Sequence, residues 1–444
     1  QIFRLLLTPK NNAGIVPEQF DRSIQRRIDE ADQFYRGIIP QNLSTDEQRI
    51  LRQAYAGLVW NQQFYHYIVS DWLAGDPSQP PPPKEHQKGR NHNWHHFYAR
   101  DVISMPDKWE YPYFAAWDLA FQMVVFAGLD LRFAQDQLLL LLKDRYMSPQ
   151  GQIPAYEFNF SNNDPPVQAW AAWTIYQRSK AGGQGDRSFL ESVFQKLLLN
   201  FNWWLNRTDV QGLDLFRGGF LGLDNISIID RNKVKPSHPM EQADATAWMA
   251  AYALNLLQIA LELAQAETGA YRPYEDMAIR CLGHFVAIAE AINAPLGQGL
   301  WDQQDGFYYD KLRVQGKIRP IKVRSVVGLI PLLAVGVLPE TLFQKLPGFA
   351  RKFQEFAGYF PDLCARMAFG SSRSGNGDLL LALPHPDRLR RVLAYLLDER
   401  EFLSPFGIRS VSKFHERHPF GIQLDGQWDS LEYWPGPSDR KSVV

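Results

Sequence analysis

Phe216 to Asp230 reads FRGGFLGLDNISIID and sets one acid, Asp224, between glycine-loosened turns and an Ile-rich run with few other charges. Apolar surroundings disfavour a charged carboxylate and raise its pKa toward the range where the acid can donate a proton. The competing reading is that Asp224 caps a turn or helix through its side-chain oxygen, a common task for an Asp beside Asn. These residues alone favour capping.

Two further stretches place acids where a helix begins: KWEYPYFAAWDLAF around Asp118, and HPMEQADATAWM around Glu241 and Asp244. Taken singly, each reads as an N-cap or a favourable charge at the positive end of a helix dipole. Taken together, with Trp flanking them, they point to one polar, aromatic cleft. The run NHNWHH puts His92 and His96 four residues apart, with His95 between them. No third ligand follows at a metal-like spacing, so a loop cluster is the better reading and no metal is expected. The chain has no Walker loop, no GxGxxG opening a helix after a strand, and no GxSxG elbow.

The elements that must position these acids are helical. Ser44 and Glu47 have capping-box spacing, and Ile50, Leu51, Ala54, Leu58 and further aromatics extend a helical pattern to about Trp72. The polyproline stretch Pro77 to Asn91 cannot continue it. Helical segments are then predicted at Ala116 to Ala127, Arg132 to Tyr146, Val167 to Arg178, Ser188 to Asn206, Glu241 to Gln265 and Tyr274 to Ile292. Several are apolar on more than one face, as helices buried between two layers must be. A hairpin is expected around Gln315-Gly316, and an opening strand at Ile2 to Leu7. A solenoid would repeat a signature every 34 to 45 residues or so. The chain shows none, so an α/α toroid is preferred.

Composition narrows the function classes. Among 444 residues, 45% are hydrophobic and 21% charged, with a net charge of −1. Nothing here attracts nucleic acid or an anionic membrane. No run approaches the roughly 18 uninterrupted apolar residues of a membrane span, and the start lacks the features of a secretory signal. A cytoplasmic protein is expected, its oligomeric state open. Cys281 and Cys364 offer no disulfide framework. Aromatic residues reach 13%; Trp and Tyr can stack on the apolar faces of sugars while their polar tips hydrogen bond.

From Gln1 to about Asp439 the chain resembles glycoside hydrolase family 63, especially the bacterial relatives of processing α-glucosidase I and the mannosylglycerate and glucosylglycerate hydrolases. The resemblance rests on DVISMPDKWEYPYFAAWDLAF, GQIPAYEFNFSNNDPPVQAWAAW, LLLNFNWWLNR, GGFLGLDNIS, EQADATAWMA, LWDQQDGFYYD, VRSVVGLIPL and EFLSPFGIRSVS. It implies an all-α (α/α)6 barrel with a small β-hairpin insertion, and hydrolysis of an α-linked oligosaccharide or glycoside with inversion and no cofactor. Asp224, in GLDN, matches the general acid, which replaces the capping reading. Trp117 and Asp118 match a glycone-binding pair, and Tyr113, Asn225, Glu241 and Asp244 complete the implied substrate-binding set. The family's catalytic base lies in a late motif with no equivalent here; Glu401, Glu416 and Glu432 are not in it. The resemblance therefore implies residues 1–40 as the end of an upstream β-sandwich and linker, 41–439 as a C-terminally incomplete barrel, and 440–444 as an unrelated tail. It also implies a chain that is itself inactive. A carbohydrate-binding pseudoenzyme and a helical scaffold for protein partners are the rival classes.

Overall fold

The computed structural model describes residues 17–207, 212–218, 228, 239–267, 271–314, 316–359, 361, 377–424 and 426–436. The strand expected at Ile2 to Leu7, Cys364, and the tail 440–444 lie outside them. The chain enters through α1 (Pro17–Ile38), a largely exposed helix, and α2 (Thr45–Trp60). The capping box of α2 forms as its spacing predicts: the Glu47 amide donates to Ser44 Oγ, and the Ser44 amide donates to Glu47 Oε2 at 2.7 Å.

The helix does not reach Trp72. It stops at Trp60, and Gln62–Ile68 forms β1, paired antiparallel with β2 (Tyr98–Ser104). Tyr65 and Tyr67 point into the core while Phe64 and His66 stay exposed, the period-two pattern of a half-buried strand. The aromatic run QQFYHYI suits a pleated surface, so this local preference overrides an extrapolated helical spacing. The short α3 (Val69–Ala74) follows.

The helical body comprises α4 (Ala116–Phe126), α5 (Leu131–Leu141), α6 (Gln168–Ala181), α7 (Arg187–Leu205), α8 (Ala243–Ala264) and α9 (Pro273–Asn293). Their bounds match the sequence pattern to within about two or three residues, except that α5 ends early and Met240–Glu241 is a strand, β3. α8 packs against α6, α7 and α9 and is apolar on nearly every face. It is long and apolar enough to cross a bilayer by length and composition, yet it is buried as the central helix of the core. The Cys281 thiol of α9 is free and buried.

Beyond α9 the chain turns to short strands: β4 (Trp301–Asp302) with β5 (Phe307–Tyr308), and the predicted hairpin β6 (Asp310–Val314) with β7 (Lys317–Ile321). Gly316 turns that hairpin at φ +76°, where a side chain would be strained. β3 adds to β6 to complete the one three-stranded sheet among the described residues; the other five sheets there have two strands each. The fold is thus mainly helical, with more strand than the single hairpin expected.

One buried polar chain fixes the loop that leads to the site. The Tyr252 hydroxyl of α8 donates to Asn200 Oδ1 of α7, and Asn200 Nδ2 donates to the Gly151 carbonyl at 2.8 Å. Gly151 has φ +97°, and a Cβ there would lie 2.5 Å from the Leu199 carbonyl oxygen. Only glycine lets the loop approach α7 this closely.

Candidate active site

The start of α4 is held by backbone pairing rather than by its own cap. Ala116 donates to Ala155 O and Glu157 to Phe114 O, each at 2.9 Å, so residues 113–116 lie antiparallel to residues 155–157. Ala115 occupies the N-cap position and offers no side-chain acceptor. The first amides of a helix need acceptors from elsewhere. Asp164 lies near enough to the Trp117 amide for that amide to favour its charged form. Asp164 precedes Pro165-Pro166, which keeps its backbone extended and delays α6 to Gln168.

Asp118, in the first turn of α4, and Asp164 form a carboxyl pair. Burial raises Asp118 to about 6. Burial, reinforced by the charge of Asp118, raises Asp164 to about 8. Asp118 ionises first, while its neighbour is still neutral, so only Asp164 feels a like charge. At neutral pH the pair therefore presents a carboxylate beside a carboxylic acid. Asp164 Oδ2 is shut off from solvent with no hydrogen-bond partner among the described residues.

Tyr113 and Trp117 flank this pair. Tyr113 packs edge-on against Phe158 at 4.9 Å, and burial raises its hydroxyl pKa, with Tyr111 and Asp118 contributing. Trp117 packs against Phe121 at 5.5 Å. On the other side of Asp164, Asn163, Gln168, Asn200, Trp203 and Trp204 help line a recess of about 20 Å³. That is room for roughly one water molecule. Arg207 lies over the Trp203 ring at 4.4 Å, its pKa lowered by burial and by the charge of Arg217.

The N-terminus of α8 reaches the same neighbourhood through Gln242. Gln242 Oε1 accepts from the Gly218 amide, its own amide donates to Phe216 O at 3.0 Å, and Asn163 Nδ2 donates to Gly218 O. Residues 216–218 are thereby pinned between the Asp164 loop and α8. Asp224 and Asn225 follow in sequence and lie outside the described residues.

Glu241 and Asp244 have a different setting. Glu241 is 1% exposed, and Arg313 of β6 donates to its Oε1 through Nε at 2.6 Å. Asp244 is fully buried and accepts from the Ala245 amide at 2.8 Å. The structure thus groups Tyr113, Trp117 and Asp118 with Asp164, and seats Glu241 and Asp244 within the protein beneath the start of α8. Of the late acids, Glu401 is paired with Arg324 at 2.6 Å and accepts from Ser412. Among the histidines, His92 bonds the Gly89 carbonyl at 3.0 Å and His96 packs on Trp94 at 5.3 Å.

Asp164 lies in the NNDPP run, to which the motif resemblance assigns no role. An acid fixed in extended backbone by two prolines, just before a helix, was the available signal.

Residues 111–361 match the mannosylglycerate hydrolase MGH1-like glycoside hydrolase domain. The chain is 43% identical over 447 residues to the uncharacterized protein YMR196W of Saccharomyces cerevisiae, covering 97% of this chain and 41% of that protein. It therefore spans about two fifths of the length of that curated relative. Among solved structures, a GH63 mannosylglycerate hydrolase from Thermus thermophilus in complex with glucose is 20% identical with a TM-score of 0.42, over 59% of this chain and 72% of that one. An uncharacterized conserved protein from the same organism gives 21% identity, a TM-score of 0.42 and the same coverages.

Proposed function

Because the chain belongs to the mannosylglycerate hydrolase MGH1-like glycoside hydrolases of family 63, we propose that it hydrolyses a glycosidic bond at the site built around Asp118 and Asp164. The observation that carries this reading is the pair of raised carboxyls at the start of α4, flanked by Trp117 and Tyr113. An ionised Asp118 accepts hydrogen bonds from sugar hydroxyls, and a charge-assisted bond is about twice as strong as a neutral one. Asp164 is a positioning residue: it lies against the Trp117 amide, and by staying protonated it leaves Asp118 as the one charged member of the pair. Trp117 and Tyr113 offer ring faces and edges to the apolar side of a pyranose.

The finer reading is an α-glycosidase on a helical toroid, inverting at the anomeric carbon, with Asp224 protonating the leaving oxygen and a second carboxylate activating water. Support for Asp224 comes from the motif resemblance and from the tether at residues 216–218, which starts its segment beside the Asp164 loop.

The expected base is the late-motif carboxylate without an equivalent here, so the test is release of sugar from α-glucosides and glycosylglycerates by the parent protein carrying that motif, with the first-formed anomer followed by NMR. Asp224→Asn should lower kcat about 10²- to 10⁴-fold, the usual contribution of a general acid, with KM little changed. Asp118→Asn should raise KM as well. A retained anomeric configuration rejects inversion, and near-wild-type turnover by Asp118→Asn removes the pair from the site.

A further inference from the structure

We propose that a groove on β1, of about 500 Å³, is a second sugar-binding platform that takes a further ring of an oligosaccharide whose reacting bond lies at Asp118. The proposal rests on the hydrolase reading above and deepens it, from glycosides in general to oligosaccharides. Phe64, Tyr65, Tyr67, Trp72, Arg90 and Glu157 are among the residues lining the groove.

The chemistry of these walls fits a pyranose, which has an apolar C–H face and an edge of hydroxyls. Phe64 and Trp72 are 63% and 43% exposed and offer ring surface for stacking. Arg90 sits over the rings of Tyr67, Trp72 and Phe158 at 5.1 to 5.4 Å and forms a loose 3.8 Å pair with Glu157. A guanidinium and a carboxyl so paired offer both donors and acceptors with little net charge, which suits a neutral ligand. Two further groups have bonding capacity to spare. The Tyr65 hydroxyl, on a residue 6% exposed, and Arg90 Nε are both buried, and neither meets a partner in hydrogen-bonding geometry among the described residues. The Tyr65 hydroxyl interacts with Glu157 and favours its charged form, so the hydroxyl and the carboxyl face the same space. Together with Arg90 Nε they give the groove a set of donors and acceptors that sugar hydroxyls can meet.

The groove and the acid pair are built on the same two chain segments. Its wall at Pro112 is followed by Tyr113, whose hydroxyl pKa is raised by burial and, among other charges, by both Asp118 and Glu157. Its wall at Glu157 belongs to the strand segment that pairs with residues 113–116 and leads on to Asp164. The same two segments therefore carry the groove on one side and the carboxyls on the other. Most of the lining comes from residues 63–108, which precede the matched family domain at 111–361.

The experiment titrates the Asp224→Asn protein, in which ligands persist, with p-nitrophenyl α-glucoside and with α-linked gluco-oligosaccharides of two to four units. The titration is repeated with Trp72→Ala and with Phe64→Ala added, both at exposed positions that tolerate truncation. Affinity should rise about five- to tenfold as the ligand reaches the platform, the worth of one aromatic stacking contact. Each added substitution should bring the ratio of long- to short-ligand affinity back toward one. Affinity independent of length, or a ratio unchanged in both variants, overturns the platform and leaves the hydrolase reading standing. Length-dependent binding with no turnover of any glycoside by the unsubstituted parent protein carrying the late base motif overturns hydrolysis and leaves the platform.

Discussion

Two helix starts look alike in the sequence and behave differently in the fold. α4 and α8 both open on acids among aromatic residues, Asp118 in one case and Glu241 with Asp244 in the other. At α8, Glu241 meets the Arg313 guanidinium, and the neighbouring Lys311 is held by the Gly297 and Gly299 carbonyls. At α4 the partner is a second acid, and both carboxyl pKa values rise. Burial alone does not make a carboxylate functional. What separates the two starts is whether the protein supplies the countercharge.

The largest way to break this contrast is to remove the countercharge. Arg313→Ala removes the guanidinium paired with the buried Glu241 and should cost about 3–5 kcal/mol of stability, measured by denaturant unfolding. A loss below about 1 kcal/mol, the range of an exposed pair, would mean that the pair is not the buried bridge described here.

Next comes the pH profile. Asp118 must be ionised to bind hydroxyls, so kcat/KM should fall as pH drops through about 6. Asp164 must stay protonated, so activity should also fall as pH rises through about 8. Asp164→Asn keeps an acceptor for the Trp117 amide and cannot ionise, so it should retain the acid limb and lose the basic one. A basic limb unchanged in that variant assigns it to another group.

The same two carboxyls bear on stability. Their folded values lie above the ordinary 3.8, so their contribution is fully present below that pH and is lost as pH rises through about 6 and then about 8. Thermal melts from about pH 4 to 9 should show a smaller decline for Asp164→Asn than for the wild type, and parallel curves would refute the assignment. The smallest effect tests the other start. Replacing both partners, Glu241→Leu with Arg313→Met, should change stability by less than about 1 kcal/mol, because neither charge is then left alone. A loss as large as that of Arg313→Ala would show that the pair itself, and not the stranded charge, carries the stability.

The helical body was legible because six segments carry apolar residues at helical spacing, and α8 is apolar all round, which signals burial. β1 was not, because FYHYI follows a good helix without a breaker and only its partner strand Tyr98–Ser104 reveals the pairing. Asp118 and Trp117 were singled out by their motif, and the fold sets them beside Asp164. The ion pair of Glu241 was not legible, since Arg313 lies 72 residues away in sequence. Asp164 was visible as a residue, but its interest depends on the nearness of Asp118 and on a lost hydration shell, neither of which spacing reports.

The contact of Gly151 with α7 has a consequence for exchange with solvent. The amides of Gly151 and Gln152 donate to Ser148, and Gly151 O is held by Asn200, which the core residue Tyr252 also bonds. Such amides are released only when α7 and α8 separate, so their deuterium uptake should keep pace with cooperative unfolding of the central helices rather than with local fraying. The segment is a loop by shape, and on the timescale of hours it belongs with the slowest-exchanging part of the molecule.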